Sequence, residues 1–143
     1  MRSVEVLLVE DNAGDAVLIR QVLADCPTPI NLHIARDGEQ ALLLLTNPHF
    51  KPDLILLDLN IPRISGVALL ERWQSLQTPV VVFSSSLNEA ERSRVLKLGA
   101  REFVSKPTDI HEFTTAVCRI IQRWGRPPAS EAACGGVPGS SSR

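Results

Sequence analysis

Cysteine is scarce in this sequence and follows no pattern. Cys26, Cys118 and Cys134 are widely spaced and odd in number, with no CxxC pair and no histidine at zinc-site spacing. That argues against a disulfide framework or a structural zinc and leaves ordinary reduced thiols. Charge of one sign is also lacking: 15 Lys and Arg stand against 16 Asp and Glu, a formal net charge of −1. Such a chain has no global basic field to draw in nucleic acid or anionic lipid, so neither is expected as a partner. Long apolar runs are missing as well, the longest falling well short of the ~18 residues that suggest a membrane span. Only Arg2 precedes the first apolar run, and no small-residue cleavage site follows it, so no secretory leader is read. The expectation is a cytoplasmic protein with no membrane partner.

What is present suits one domain. The chain has 143 residues, 44% of them apolar and 22% charged, enough to bury a core without covalent staples. Three apolar runs, Val4–Val9, Leu54–Leu57 and 80–83, are too short for helices and almost continuous. Parallel strands covered on both faces read this way. Ile30–Ala35 and 102–104 are more mixed and suit strands nearer a sheet edge.

Between these runs lie helical segments with recognisable starts. Asp37 with Gln40, Asn88 with Glu91 and Asp109 with Glu112 each place a short polar residue three positions before a Glu or Gln, the pattern of a capping box. Further helical spacing covers about 13–24 and 65–76, and Gly99 suits the residue just past a helix end. The last helix, about 109–124, carries Ile110, Phe113, Val117, Ile120, Ile121 and Trp124 on one strongly apolar face. The order is β-α five times, which favours a parallel sheet with right-handed crossovers. After Trp124 the composition turns to Gly, Pro, Ser and Ala. The domain is therefore read as 1–124 and a flexible tail as 125–143.

Ligands of open parallel sheets bind outside the carboxyl ends of the strands. There the first strand ends in Glu10 and Asp11, the third in Asp58 and the fourth in Ser84, while the fifth leads to Lys106. Each has an ordinary reading by itself: an acidic pair at a helix start, a self-solvating loop, a turn serine, a surface lysine. Their convergence on one rim is the informative fact, because clustered carboxylates repel unless a cation compensates them. Hard oxygen ligands suit Mg²⁺, which keeps waters and a phosphate oxygen rather than a full protein cage. A carboxylate such as Asp58 can then attack phosphorus to form an acyl phosphate, with a metal, a lysine and a hydroxyl sharing the phosphoryl charge.

VLLVEDN at 6–12, LILLDLNIP at 54–62, VVVFSSS at 80–86 and FVSKP at 103–107 resemble the signature segments of response-regulator receiver domains. The resemblance covers 4 to about 123. It implies a flavodoxin-like (βα)5 three-layer sandwich with sheet order 2-1-3-4-5, an order the receiver family itself exemplifies. It makes Asp58 the phosphoacceptor, with Asp11 and Asp58 as direct Mg²⁺ ligands, or Mn²⁺ in its place. Glu10 would act mostly through water, and the backbone carbonyl of Asn60 would complete the protein's share. Ser84 stands where a hydroxyl turns toward the phosphoryl group, Lys106 where a lysine pairs with it, and Phe103 at an aromatic switch position that rotates inward when Ser84 moves. Lys106-Pro107 is often cis in such domains.

EDNAGDAVLIRQVL at 10–23 further resembles single-domain regulators paired with phytochrome-like and hybrid histidine kinases. The short stretch between Trp73 and Pro79 departs from typical members and implies a truncated third helix or following loop. Ser85 replaces a small Ala common after the switch hydroxyl.

The function so implied is a two-component phosphorelay switch, not an enzyme. It takes a phosphoryl group from a histidine kinase and, with no appended output domain in view, acts through a bound partner. Ile121 and Trp124 are less easily assigned to the core and suggest a homodimer through the fifth helix. His33, His49 and His111 do not share the rim and read as surface or strand residues. Two alternatives remain, a receiver-like scaffold independent of phosphorylation and a flavodoxin-like FMN binder. Against the second, Glu10 and Asp11 would oppose a phosphate.

Overall fold

The computed structural model describes residues 3–85 and 88–125. Ten elements alternate: β1 (Val4–Val9), α1 (Ala13–Ala24), β2 (Ile30–Ala35), α2 (Gly38–Thr46), β3 (Leu54–Leu57), α3 (Gly66–Arg72), β4 (Val80–Ser84), α4 (Glu89–Lys97), β5 (Glu102–Ser105) and α5 (Ile110–Trp124). The strands pair in parallel in the order β2-β1-β3-β4-β5, so β1 and β3 lie side by side with Val9 opposite Leu57. Their carboxyl ends finish level.

The period of two along each strand splits the core into the two halves of a sandwich. Val6, Leu8, Leu54, Leu56, Val81 and Phe83 face α1 and α5. Leu7, Val9, Ile55, Leu57, Val80 and Val82 face α2, α3 and α4. Every residue of β3 and β4 is buried, which is why these strands read as unbroken apolar runs. On the first face Phe83 and Phe113 meet edge to face with centroids 5.1 Å apart, an arrangement that favours aromatic pairs beyond their area.

The helix starts follow the sequence signals. Asp37 accepts from the Gln40 backbone N–H, Asn88 from those of Ala90 and Glu91, and Asp109 from that of Glu112. Asn12 and Ser65 cap α1 and α3 in the same way. Gly99 follows α4 at φ 109, a left-handed conformation that Gly adopts without a Cβ penalty.

Three expectations change. The third helix is shorter than 65–76: α3 ends at Arg72 with Trp73 as its cap, and only turns link it to β4, consistent with truncation there. Ile121 is buried in the core facing the sheet, and Trp124 packs partly against that core with its Nε1 donating to Glu102 Oε1 at 2.9 Å. Both side chains are thus engaged within the domain. The Lys106–Pro107 peptide is trans, the form an X–Pro bond prefers where nothing selects the other. Of the expected tail, only Gly125 lies within the described residues.

Gly66 ties the fold to the rim. A Cβ there would lie 2.7 Å from Leu59 Cα and 3.0 Å from the Asp58 carbonyl oxygen, so the start of α3 rests directly on the backbone that presents Asp58. Gly66→Ala is expected to lower stability by ~1–3 kcal/mol, the usual cost of overpacking, read as a lowered urea midpoint. An unchanged midpoint would show that this contact can relax freely.

Candidate functional site

Four strand ends build the rim. Glu10 and Asp11 follow β1, Asp58 follows β3, Ser84 ends β4 and Lys106 comes one residue after β5. Asp58 is 7% exposed, Glu10 1% and Ser84 0%. Buried polar groups of this kind require partners, and each has them. Asp58 Oδ1 accepts from Ser84 Oγ at 3.0 Å and from the Asn60 backbone N–H at 2.9 Å. Glu10 Oε2 accepts from the Asn12 backbone N–H at 3.0 Å.

Lys106 holds the rim together. Its Nζ donates to Glu10 Oε1 at 2.6 Å, Asp58 Oδ2 at 2.8 Å and Asp15 Oδ2 at 2.9 Å. An ammonium has three protons, and all are used. Four of the expected residues, Glu10, Asp58, Ser84 and Lys106, thus form one connected network. Asp11 is exposed and forms no hydrogen bond or ion pair among the described residues. Phe103 is buried at 7% exposure, with the Arg92 guanidinium 5.6 Å from its ring centroid. Ser84, expected to turn toward a phosphoryl group, bonds the Asp58 carboxylate here.

Asp15 is the member that sequence reading missed. It lies in the first turn of α1 with its backbone N–H on Asn12 Oδ1, so its available signal, an acid three residues after a cap, has an ordinary explanation in helix capping. Beside it a cavity of about 340 Å³ is lined by Asp15, Leu18, Ser85, Lys106, Thr108 and Phe113, among others. Ser85 is accordingly at the edge of the site, while Ser86 lies outside the described residues. His33 is engaged elsewhere: its Nε2 meets Glu5 Oε1 at 2.8 Å and its ring packs against Phe50.

Burial pushes the Glu10 carboxyl up to about 7, against the opposing pull of Lys106. Burial acts on Asp58 in the same direction, but the Lys106 ammonium and the Asn60 N–H outweigh it and hold that carboxyl below its usual value. Burial disfavours the charged form of Lys106, yet its bonds to Asp58, Glu10 and Asp15 keep it protonated well above the ordinary lysine range. Asp58 is thus an ionised carboxylate at neutral pH.

Among the described residues no three His, Cys, Asp or Glu side chains are already gathered as a metal cage. The donor chemistry nevertheless fits a hard divalent ion. Glu10, Asp15 and Asp58 share one ammonium, and Asp11 adds a further uncompensated carboxylate at the same strand end. Mg²⁺ completes its shell with water.

A parallel α/β sheet of order β2-β1-β3-β4-β5 with a buried, lysine-paired carboxylate at its rim defines a flavodoxin-like fold with an acidic site where that fold presents ligands. The family model for the response regulator receiver domain matches residues 6–118, and the chain belongs to that family. It is 36% identical over 109 residues to protein-glutamate methylesterase/protein-glutamine glutaminase 3 of Geobacter sulfurreducens, covering 76% of this chain and 29% of that protein. The chain thus spans less than a third of the length of that relative. The phosphorylated cyanobacterial phytochrome response regulator RcpA superposes with a TM-score of 0.82 at 32% identity, over 86% of this chain and 94% of that one. The Mn²⁺-bound form of response regulator Rcp1 gives 0.79 at 30% identity, over 85% and 94%. Among the described residues no helix is long and apolar enough to cross a membrane.

The Glu10 shift has a measurable consequence. Between pH 4.5 and about 7 the unfolded chain releases this proton while the folded protein keeps it, so folding stability falls as pH rises through that window. The Asp58 contribution has the opposite sign, being lost only as pH falls through and below its ordinary value of 3.8, outside the window. Urea midpoints measured in EDTA should therefore decline from pH 4.5 to 7 in the wild type and flatten in Glu10→Gln. Equal slopes in the two proteins would contradict the assignment.

Proposed function

We propose that the chain is a phosphorelay response regulator in which Asp58 takes a phosphoryl group from a histidine kinase, with Mg²⁺ or Mn²⁺ as cofactor. The observation that carries this reading is the state of Asp58: buried, ionised, and held by Ser84, Asn60 and Lys106 at the rim where the fold presents ligands. A carboxylate oxygen attacks phosphorus, the phosphorus–nitrogen bond of a phosphohistidine breaks, and an acyl phosphate forms as the imidazole leaves. Asp11, Asp58 and the Asn60 carbonyl would hold the divalent ion directly and Glu10 through water; the bound ion supplies positive charge against the phosphoryl oxygens. Ser84 and Lys106 are the protein groups placed to bond those oxygens.

In this reading residues 1–124 are the receiver domain, the protein works in the cytoplasm, and nucleic acid and membrane are not partners. Output passes through a protein partner on the α4-β5-α5 surface, altered when the new charge re-sorts Ser84, Lys106 and Phe103. A phytochrome-like or hybrid kinase is the upstream partner that the resemblance at 10–23 and the likeness to RcpA favour. The phosphorylation-independent scaffold finds no support in a rim that keeps the complete acceptor set.

Acetyl phosphate with Mg²⁺ is expected to give one phosphoryl adduct by intact mass, labile to hydroxylamine, lost in EDTA and absent from Asp58→Asn. An adduct that persists in Asp58→Asn would place the acceptor elsewhere. Homodimerisation through α5 belongs to the same reading and now rests on the half-buried Trp124 without Ile121. Light scattering should then show a larger mass on phosphorylation that Trp124→Ala reduces, and a monomer under both conditions would exclude it.

A further inference from the structure

The ammonium of Lys106 is saturated by three carboxylates. It has no fourth proton to offer, so it can bond a phosphoryl oxygen only by giving up one partner. The three are not equivalent. The side chains of Glu10 and Asp58 are 2% and 8% exposed, whereas that of Asp15 is 30% exposed. Until transfer turns Asp58 into an acyl phosphate without a carboxylate charge, a buried carboxylate stripped of its counter-charge bears a large desolvation cost. A part-exposed one is resolvated by water, and its ion pair is worth only a factor of a few in equilibrium. Asp15 also lines the 340 Å³ cavity together with Lys106, so water has room to reach its carboxylate once the ammonium leaves.

We propose that Asp15 is a positioning residue, the exchangeable anchor that Lys106 releases when it takes hold of the incoming phosphoryl group. This rests on the receiver reading above. Asp15 then competes with the phosphoryl group for the same cation, and its own negative charge stands near the path of an anionic donor. Both effects weaken donor binding, and the first also loosens the hold of Lys106 on the acyl phosphate and shortens its life. Neither is expected if Asp15 serves only as a helix-start residue, a role whose loss would lower stability and leave phosphoryl kinetics alone.

The test is a concentration series of acetyl phosphate on the full chain at saturating Mg²⁺, comparing wild type, Asp15→Asn and Asp15→Glu. Asp15→Asn should lower the apparent KM for acetyl phosphate about threefold or more, with the maximal rate within about twofold, and lengthen the adduct half-life by a similar factor. Threefold corresponds to ~0.7 kcal/mol at ~1.4 kcal/mol per factor of ten. Asp15→Glu, which keeps the charge and can reach Lys106, should behave as the wild type. An Asp15→Asn protein with unchanged KM and half-life overturns the proposal, as does an Asp15→Glu protein that matches Asp15→Asn. A wild type that forms no adduct at any concentration overturns the receiver reading and this inference with it, whereas a phosphorylated wild type with an inert Asp15 defeats this inference alone.

Discussion

One ammonium organises the site. Lys106 lies 96 residues from Glu10, 91 from Asp15 and 48 from Asp58 in sequence, yet contacts all three. These carboxylates come from the end of β1, the first turn of α1 and the end of β3. Without the lysine they would be mutually repelling anions in a half-buried rim. The rest of the fold can be understood as what carries that cation to that place: β5 at the sheet edge beside β4, and β4 beside β3.

The electrostatics of the rim divide its labour. Asp58 is kept ionised by donors on both of its oxygens, the state a nucleophilic carboxylate requires. Glu10, deeper and with fewer compensating contacts, retains its proton to higher pH. A site that gathers this much negative charge is prepared for a cation and for a transferred group whose own oxygens need positive partners. Ser84 bonds Asp58 and Phe103 is buried, while Lys106 is shared among three carboxylates. The surface beyond follows from the same edge: Glu102 on β5 binds Trp124 and Arg123 on α5, and Phe103, one residue on, lies under Arg92 of α4. The strand that delivers Lys106 therefore also ties together the two helices of the expected output face.

Much of this was legible in the chain. Unbroken apolar runs marked the central strands because both faces of β3 and β4 are covered. Short polar residues three ahead of Glu or Gln marked helix starts because a side-chain oxygen must satisfy N–H groups that have no carbonyl partner. The acceptor, the lysine and the hydroxyl stood at strand ends, where the topology must present them. What misled was local plausibility. Asp15 did not stand out, because an acid in a first helical turn has an ordinary role there, which it also fills. Ile121 and Trp124 looked spare at the end of an apolar stripe because their partners, the sheet face and Glu102, are remote in sequence.

The sequence by itself determined the elements, their order and the chemical kinds at each strand end, since periodicity, capping and turn chemistry act over a few residues. Tertiary structure alone decided which carboxylates share Lys106, that Asp15 is one of them, that Phe103 is buried, and how far each proton is held from its ordinary pKa. Those properties depend on distances between segments many tens of residues apart and on the water excluded between them, and no local pattern encodes either.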